Sequence, residues 1–284
     1  MTTEIANMLQ PEGKIRGPIV DGIFYPDDDK LLTEEIRYLL QDVEEIHGSS
    51  FGIIVPHAAL PFSGSLAAAA YNSIAGRKIS TVVIIAPVHR EEQDAVFLTE
   101  SVSFSIPTGK IKVNTEIVKK LEHTNPCFQI NDLPHLEEHC IEMQLPFIHY
   151  LFPEADIVPI LVGSNKMEIL EIISDSLRNI FNDKLDKTLF VVSANMTAYL
   201  PVEEAYRHCR QLINALETGN TEELNSMLKS NYNKSKGIGC VAVLLAIAGT
   251  GARVKVLRKK DSSKYGCESG NIVCYAAITV DKAG

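Results

Sequence analysis

No apolar run in the chain is long enough to cross a membrane. The two longest, Val82 to Ala86 and Cys240 to Ala248, stop well short of the roughly 20 residues a spanning helix needs, so no membrane partner is expected. Positive charge is scarce too: 27 Lys and Arg stand against 36 Asp and Glu, giving a net charge of −9 and a pI near 5.4. Phosphate backbones reward clustered cations, so no nucleic-acid partner is expected either. The short basic stretch Arg258, Lys259, Lys260 reads as a solvated loop. Six cysteines occur without any Cys-x-x-Cys pairing, and in a chain of 284 residues they read as reduced thiols rather than a disulfide framework. The opening MTTEIANMLQPEGKIRG lacks the charged-then-apolar order of a secretory signal, and a cytoplasmic location is the expectation.

Common catalytic loops are missing as well. No Gly-x-Gly-x-x-Gly follows a strand and there is no Walker loop; GTGAR near Gly249 is too short and lies at a helix end, where glycine is a stop signal. FSGS around Ser63 lacks the Gly-x-Ser-x-Gly of a nucleophile elbow.

What the chain does have is material for a core, 45% of it hydrophobic, laid out as short β-rich runs alternating with helical periods. Strands are expected at FGIIVP (Phe51 to Pro56), STVVIIAPV, DAVFLTE, DIVPILVG, TLFVVSA, ARVKVLR and NIVCYAAITV. Helices are expected at SGSLAAAAYNSI, TEIVKKLEH, EEHCIEMQLPFIHYLF, Met167 to Phe181, Val202 to Leu216, Thr221 to Leu228 and Ile238 to Ala248. Strands separated by helices imply an α/β fold with a mostly parallel or mixed central sheet covered on both faces, and one domain over 1–284.

Two patterns carry chemistry. The first is His135-Leu-Glu-Glu-His139, a His-x-x-Glu-His spacing that inverted zinc peptidases use, with His135, Glu138 and His139 in the metal and acid roles. Short motifs have many chance occurrences, and this reading ranks last. The second is positional. In open α/β sheets function gathers beyond the carboxyl ends of strands, and His57 in VPHAA and His89 in APVHR each follow a strong strand directly. Imidazole is the commonest neutral metal ligand, so two at one sheet edge, on strands expected to be neighbours, point to a metal or small-ligand pocket. Cys140, Cys209 and Cys274 sit at apolar-periodic positions and read as core thiols, while Cys127 and Cys267 fall in loops.

Seven segments in order carry a family resemblance: VDGIFYPDDDKLLTEEI, VPHAALPFSGSLAAAAY, VVIIAPVHR, SIPTGKIKV, EEHCIEMQLPF, IVPILVG and NIVCYAAITV. Together they resemble the Memo-like proteins, also called AmmeMemoRadiSam system protein B. The resemblance implies a fold like that of class III extradiol dioxygenases and a redox metal, iron or copper ahead of zinc, held by two histidines and a cysteine beside an Asp and a further His. The two histidines correspond to His57 and His89.

The other positions depart from the family pattern. The family's Ser-Asp-x-x-His segment is SANMTAY here, so Asn195 replaces the acid and Ala198 the histidine. Asn can donate and accept hydrogen bonds but cannot act as a carboxylate base. The family cysteine falls on Lys236, and Cys240 lies one helical turn further on, where Cβ atoms are about 5 to 6 Å apart. A thiolate ligand must come within about 2.3 Å of zinc, so Cys240 serves as metal ligand only if the turn shifts. The metal candidates are therefore His57, His89 and Cys240. Glu138, His139 and Asn195 are the candidates for chemistry, Glu138 and His139 being expected at a helix start, and His135 is expected at the surface. The resulting expectation is a divergent Memo-like protein with a metal or small-molecule pocket at the strand ends; a non-haem iron or copper oxidoreductase is the alternative.

Overall fold

The computed structural model describes residues 13–41, 50–90, 93–229, 234–265 and 270–283; the first twelve residues and Cys267 lie outside the described residues. Eight strands form the central sheet: β1 (Gly52–Val55), β2 (Thr81–Pro87), β3 (Val96–Leu98), β4 (Phe128–Ile130), β5 (Asp156–Val162), β6 (Thr188–Ser193), β7 (Arg253–Asp261) and β8 (Cys274–Asp281). Their spatial order is β7-β8-β1-β6-β2-β5-β3-β4. The central four, β1, β6, β2 and β5, are mutually parallel. The sheet is mixed because β8 pairs antiparallel with β1, and β3 antiparallel with β5.

Burial explains why these strands read as unbroken apolar runs. Every residue of β2 (TVVIIAP) and β6 (TLFVVS) is buried, as expected for parallel strands covered on both faces. The cover comes from helices, among them α1 (Asp29–Gln41), α2 (Leu60–Asn72), α3 (Thr115–Glu122), α4 (Asp132–Glu137), α5 (Leu145–Leu151), α6 (Met167–Phe181), α7 (Val202–Thr218), α8 (Thr221–Lys229) and α9 (Ile238–Ala248). α9 (IGCVAVLLAIA) is apolar on all sides and packs against α6 and β6, whereas α7 buries one stripe that includes Cys209, Leu212 and Leu216.

Several elements differ from expectation. α1 was not anticipated, although its buried Leu32, Ile36 and Leu40 recur every four residues. The C-terminal run is two strands, Asn271–Ile272 and β8, not one. The helix expected from Glu137 onward begins only at Leu145, where Pro146 suits the first turn, after a single 3₁₀ turn at Glu142–Gln144. Glu138 has extended backbone angles and ends α4, so it does not start a helix. The strands bearing His57 and His89 are not neighbours either, because β6 pairs with both.

Candidate metal centre

The sheet register assembles the site. Val55 of β1 pairs with Ser193 of β6, and Ile85 of β2 pairs with Val192, so the three strands end together. His57 and Asn195 each lie two residues past their strands, and His89 two past β2. The turn after α4 then brings His139 over them. Ring centroids are 5.1 Å apart for His57 and His89, 5.3 Å for His89 and His139, and 5.8 Å for His57 and His139.

The surrounding bonds settle which ring nitrogens face the centre. Ser193 donates its hydroxyl proton to the Cys140 carbonyl (2.9 Å) and accepts from Gln144 Nε2 (3.2 Å). Its contact with His57 Nδ1, at 3.1 Å, is then an imidazole N–H donating to Oγ. His57 Nε2 is left as a bare lone pair, fully buried and without a hydrogen-bond partner. For His89, Nδ1 donates to Glu138 Oε2 at 2.8 Å while the backbone N–H donates to Oε1 at 2.6 Å. A carboxylate that fixes one ring nitrogen aims the other outward, the usual support for a metal-binding imidazole.

Electrostatics favour the neutral form at His57 and His139. Burial pushes the His57 pKa well down, and His89, His139 and Lys236 nearby push it further. His139 is lowered by burial first and then by His89. Burial raises Glu138, but the hydrogen bonds from His89 outweigh it and hold the carboxyl below its ordinary value.

Among the described residues, two groups of donor atoms lie close enough to share an ion: His57, His89 and Cys140, and His89, Glu138 and His139. Neither includes Cys240, which sits buried on α9 beside a cavity of about 20 Å³ that it lines with Lys236 and Asn165. Lys236 pairs backbone to backbone with Asn195, whose Oδ1 accepts the His57 N–H at 3.3 Å. The sulfur in the donor group is that of Cys140, 3.4 Å from His89 Nδ1 and 4.0 Å from Glu138 Oε2. Sequence reasoning placed Cys140 in the core, and it is buried, with its thiol pKa pushed well up by burial and by Glu138. The usable signal was its place directly after Glu138 and His139.

His135 overturns two expectations. It is 1% exposed rather than at the surface, its Nε2 lies 3.2 Å from the Phe97 carbonyl, and it stands edge-on to Phe104. α4 ends at Glu137, so His135 and His139 share no helical face and the zinc-peptidase arrangement does not form.

Behind the centre, Glu142 is 0% exposed and accepts from Arg16, from Tyr25 Oη (2.6 Å), and from the backbone N–H groups of Ile19 and Val20 (3.0 and 3.1 Å). Arg16 also donates to the carbonyls of His135 and Glu138. This network fastens the N-terminal segment to the turn carrying Glu138 and His139, and seats Phe24 edge-on against His139 at 4.9 Å.

A structure of an uncharacterized Escherichia coli K12 protein matches with a TM-score of 0.51 at 11% identity, over 80% of this chain and 98% of that one, which speaks to the fold alone. A MEMO1 family protein of Thermoplasma acidophilum is 26% identical over 93% of this chain and 97% of its own length. One from Thermotoga neapolitana is 29% identical over 84% and 91%. The Memo-like protein family model matches residues 16–279, and the chain belongs to that family.

Proposed function

We propose that this protein is a divergent Memo-like metal-binding protein in which His57 and His89 hold a transition-metal cation, with Cys140 as the third donor. One observation carries the reading: the buried, unpartnered Nε2 of His57 beside an imidazole whose orientation Glu138 fixes. Leaving such an atom without a partner costs about 1 to 3 kcal/mol, a penalty that a ligand removes. Two imidazoles and a thiol suit iron, copper or zinc alike, and the family resemblance leans toward iron or copper. The cation, when bound, supplies Lewis-acid or one-electron chemistry. Glu138, 4.0 Å from Cys140 Sγ, is placed to take the thiol proton that ligation must displace.

Turnover is not part of this reading. Asn195 and Ala198 stand where the family pattern has an acid and a histidine, and Asn195 Oδ1 already accepts the His57 backbone N–H. Binding of a metal, with a small molecule at its open positions, is what the residues support. A dioxygenase-like oxidoreductase would have to move protons through Glu138 and His139 instead.

The test is elemental analysis of protein purified without chelator, followed by titration of metal-free protein with ferrous, cuprous and zinc ions. The expected result is one ion per chain and a raised melting temperature, both lost in the His57→Ala, His89→Ala double variant. Cobalt loading should show sulfur-to-metal charge-transfer absorption that Cys140→Ala removes. Failure of the wild type to bind any of these ions, or unchanged binding by the double variant, overturns the proposal.

A further inference from the structure

A second cysteine site lies away from the metal centre, where α7 crosses the β7 and β8 edge of the sheet. Cys209 projects from α7 and Cys274 opens β8; their thiols are hydrogen-bonded to each other, and both line a cavity of about 400 Å³. Arg210, Lys259, Tyr206 and Asp261 line the same cavity, and none of its residues belongs to either donor group described above. Cys274 is anchored from behind, its backbone N–H donating to Thr197 Oγ1 at 2.8 Å. Tyr206 Oη donates to Asp261 Oδ2 at 3.1 Å across the rim.

We propose that Cys209 and Cys274 form a redox-active dithiol, oxidised to a disulfide by a hydroperoxide that enters this cavity. Two buried thiols in contact could be accidental core neighbours, but these two open onto a cavity with cationic side chains, the setting in which cysteines react. The roles are unequal. The hydrogen bond from the Cys274 thiol holds Cys209 below the ordinary thiol value in spite of burial, with Lys259 and Arg210 adding positive charge. The same bond, together with burial, pushes Cys274 up. Cys209 is also the more accessible of the two, 9% exposed against 3%, and takes the attacking role, with Cys274 as the resolving thiol.

The chemistry balances in two steps. The Cys209 thiolate attacks one peroxide oxygen, the O–O bond breaks, and the leaving alkoxide or hydroxide takes a proton to depart as alcohol or water, leaving a Cys209 sulfenic acid. The Cys274 sulfur then attacks the Cys209 sulfur, expelling hydroxide that leaves as water with the Cys274 proton. Two thiols are oxidised, one hydroperoxide is reduced, and an external dithiol restores the starting state.

The experiment uses the full chain, freed of metal by chelator so that metal-driven oxidation does not contribute. It is treated with one equivalent of hydrogen peroxide, alkylated in denaturant, digested, and mapped by mass spectrometry. A Cys209–Cys274 cross-linked peptide, two hydrogens lighter than the paired thiols and lost on reduction, is the expected product. In Cys274→Ser, dimedone should label Cys209. The proposal is overturned if both thiols stay alkylatable while other cysteines oxidise, or if the sulfenic acid forms on Cys274 in Cys209→Ser and not on Cys209. The wild-type peptide map decides the matter even where a variant fails to fold.

Discussion

Two buried polar clusters lie side by side in this protein, and they are built differently. In the Arg16–Glu142 cluster the carboxylate receives Arg16, Tyr25 and two backbone N–H groups, so its acceptor capacity is filled. In the imidazole cluster His57 is satisfied at Nδ1 and orphaned at Nε2. Arg16 and His57 are each 1% exposed, whereas His89 and His139 at the mouth of the imidazole cluster are partly exposed. A closed network holds a shape; an open one has a donor atom to offer a ligand. The closed cluster positions the turn that carries Glu138 and His139, so it supports the open one.

The largest way to break that contrast is to open the closed cluster. Glu142→Ala leaves Arg16 buried without its carboxylate, and removal of one partner of a buried ion pair costs about 3 to 5 kcal/mol. Denaturant unfolding of the variant should show that loss. A destabilisation below 1 kcal/mol would mean that the pair does not organise the turn.

Acid comes next. Burial drives the His135 pKa from 6.5 down to about 4, so above pH 6.5 the ring is neutral whether folded or unfolded. As pH falls from 6.5 toward 4 only the unfolded chain takes up the proton, and stability is lost across that window. The shift corresponds to about 3 kcal/mol. His57 and His139 move in the same direction and steepen the decline. Unfolding measured at pH 7 and pH 4.5 should show the drop, and His135→Gln should flatten it; a flat wild-type curve would contradict the assignment.

The smallest effect sharpens the contrast from the other side. His57→Leu removes the orphaned atom together with one hydrogen bond, so the stability of metal-free protein should change by no more than about 1 kcal/mol. The same variant should lose all metal-induced stabilisation. A fall as large as that of Glu142→Ala would place His57 in the structural class.

The fold was legible where periodicity was strong. Helices Met167–Phe181 and Ile238–Ala248 begin and end at the expected residues, because one has a regular apolar stripe and the other is apolar throughout. The rule that function sits past strand ends singled out His57 and His89, whose rings the structure brings together, while Asn195 came from the resemblance; the rule could not order the strands, so β6 between them was missed. Local pattern failed at residues 138–144. EEHCIEMQLPF reads as one helix, but the tertiary bonds of Glu138 to His89 and of Glu142 to Arg16 hold its start in turns. That is also why Cys140 read only as a core thiol: its relation to His89 exists only across 51 residues of chain.

Gly237 decides how adjustable this arrangement is. Its φ of 98° suits glycine, and a Cβ there would lie 2.8 Å from the Ala194 Cβ and 2.9 Å from the Ser193 carbonyl oxygen. The segment bearing Lys236 is thus clamped against the end of β6 at one separation. The backbone of a cationic residue is thereby held beside the imidazoles, where Lys236 already helps to lower the His57 pKa, so a cation binding there would meet like charge unless it arrived with its own anion.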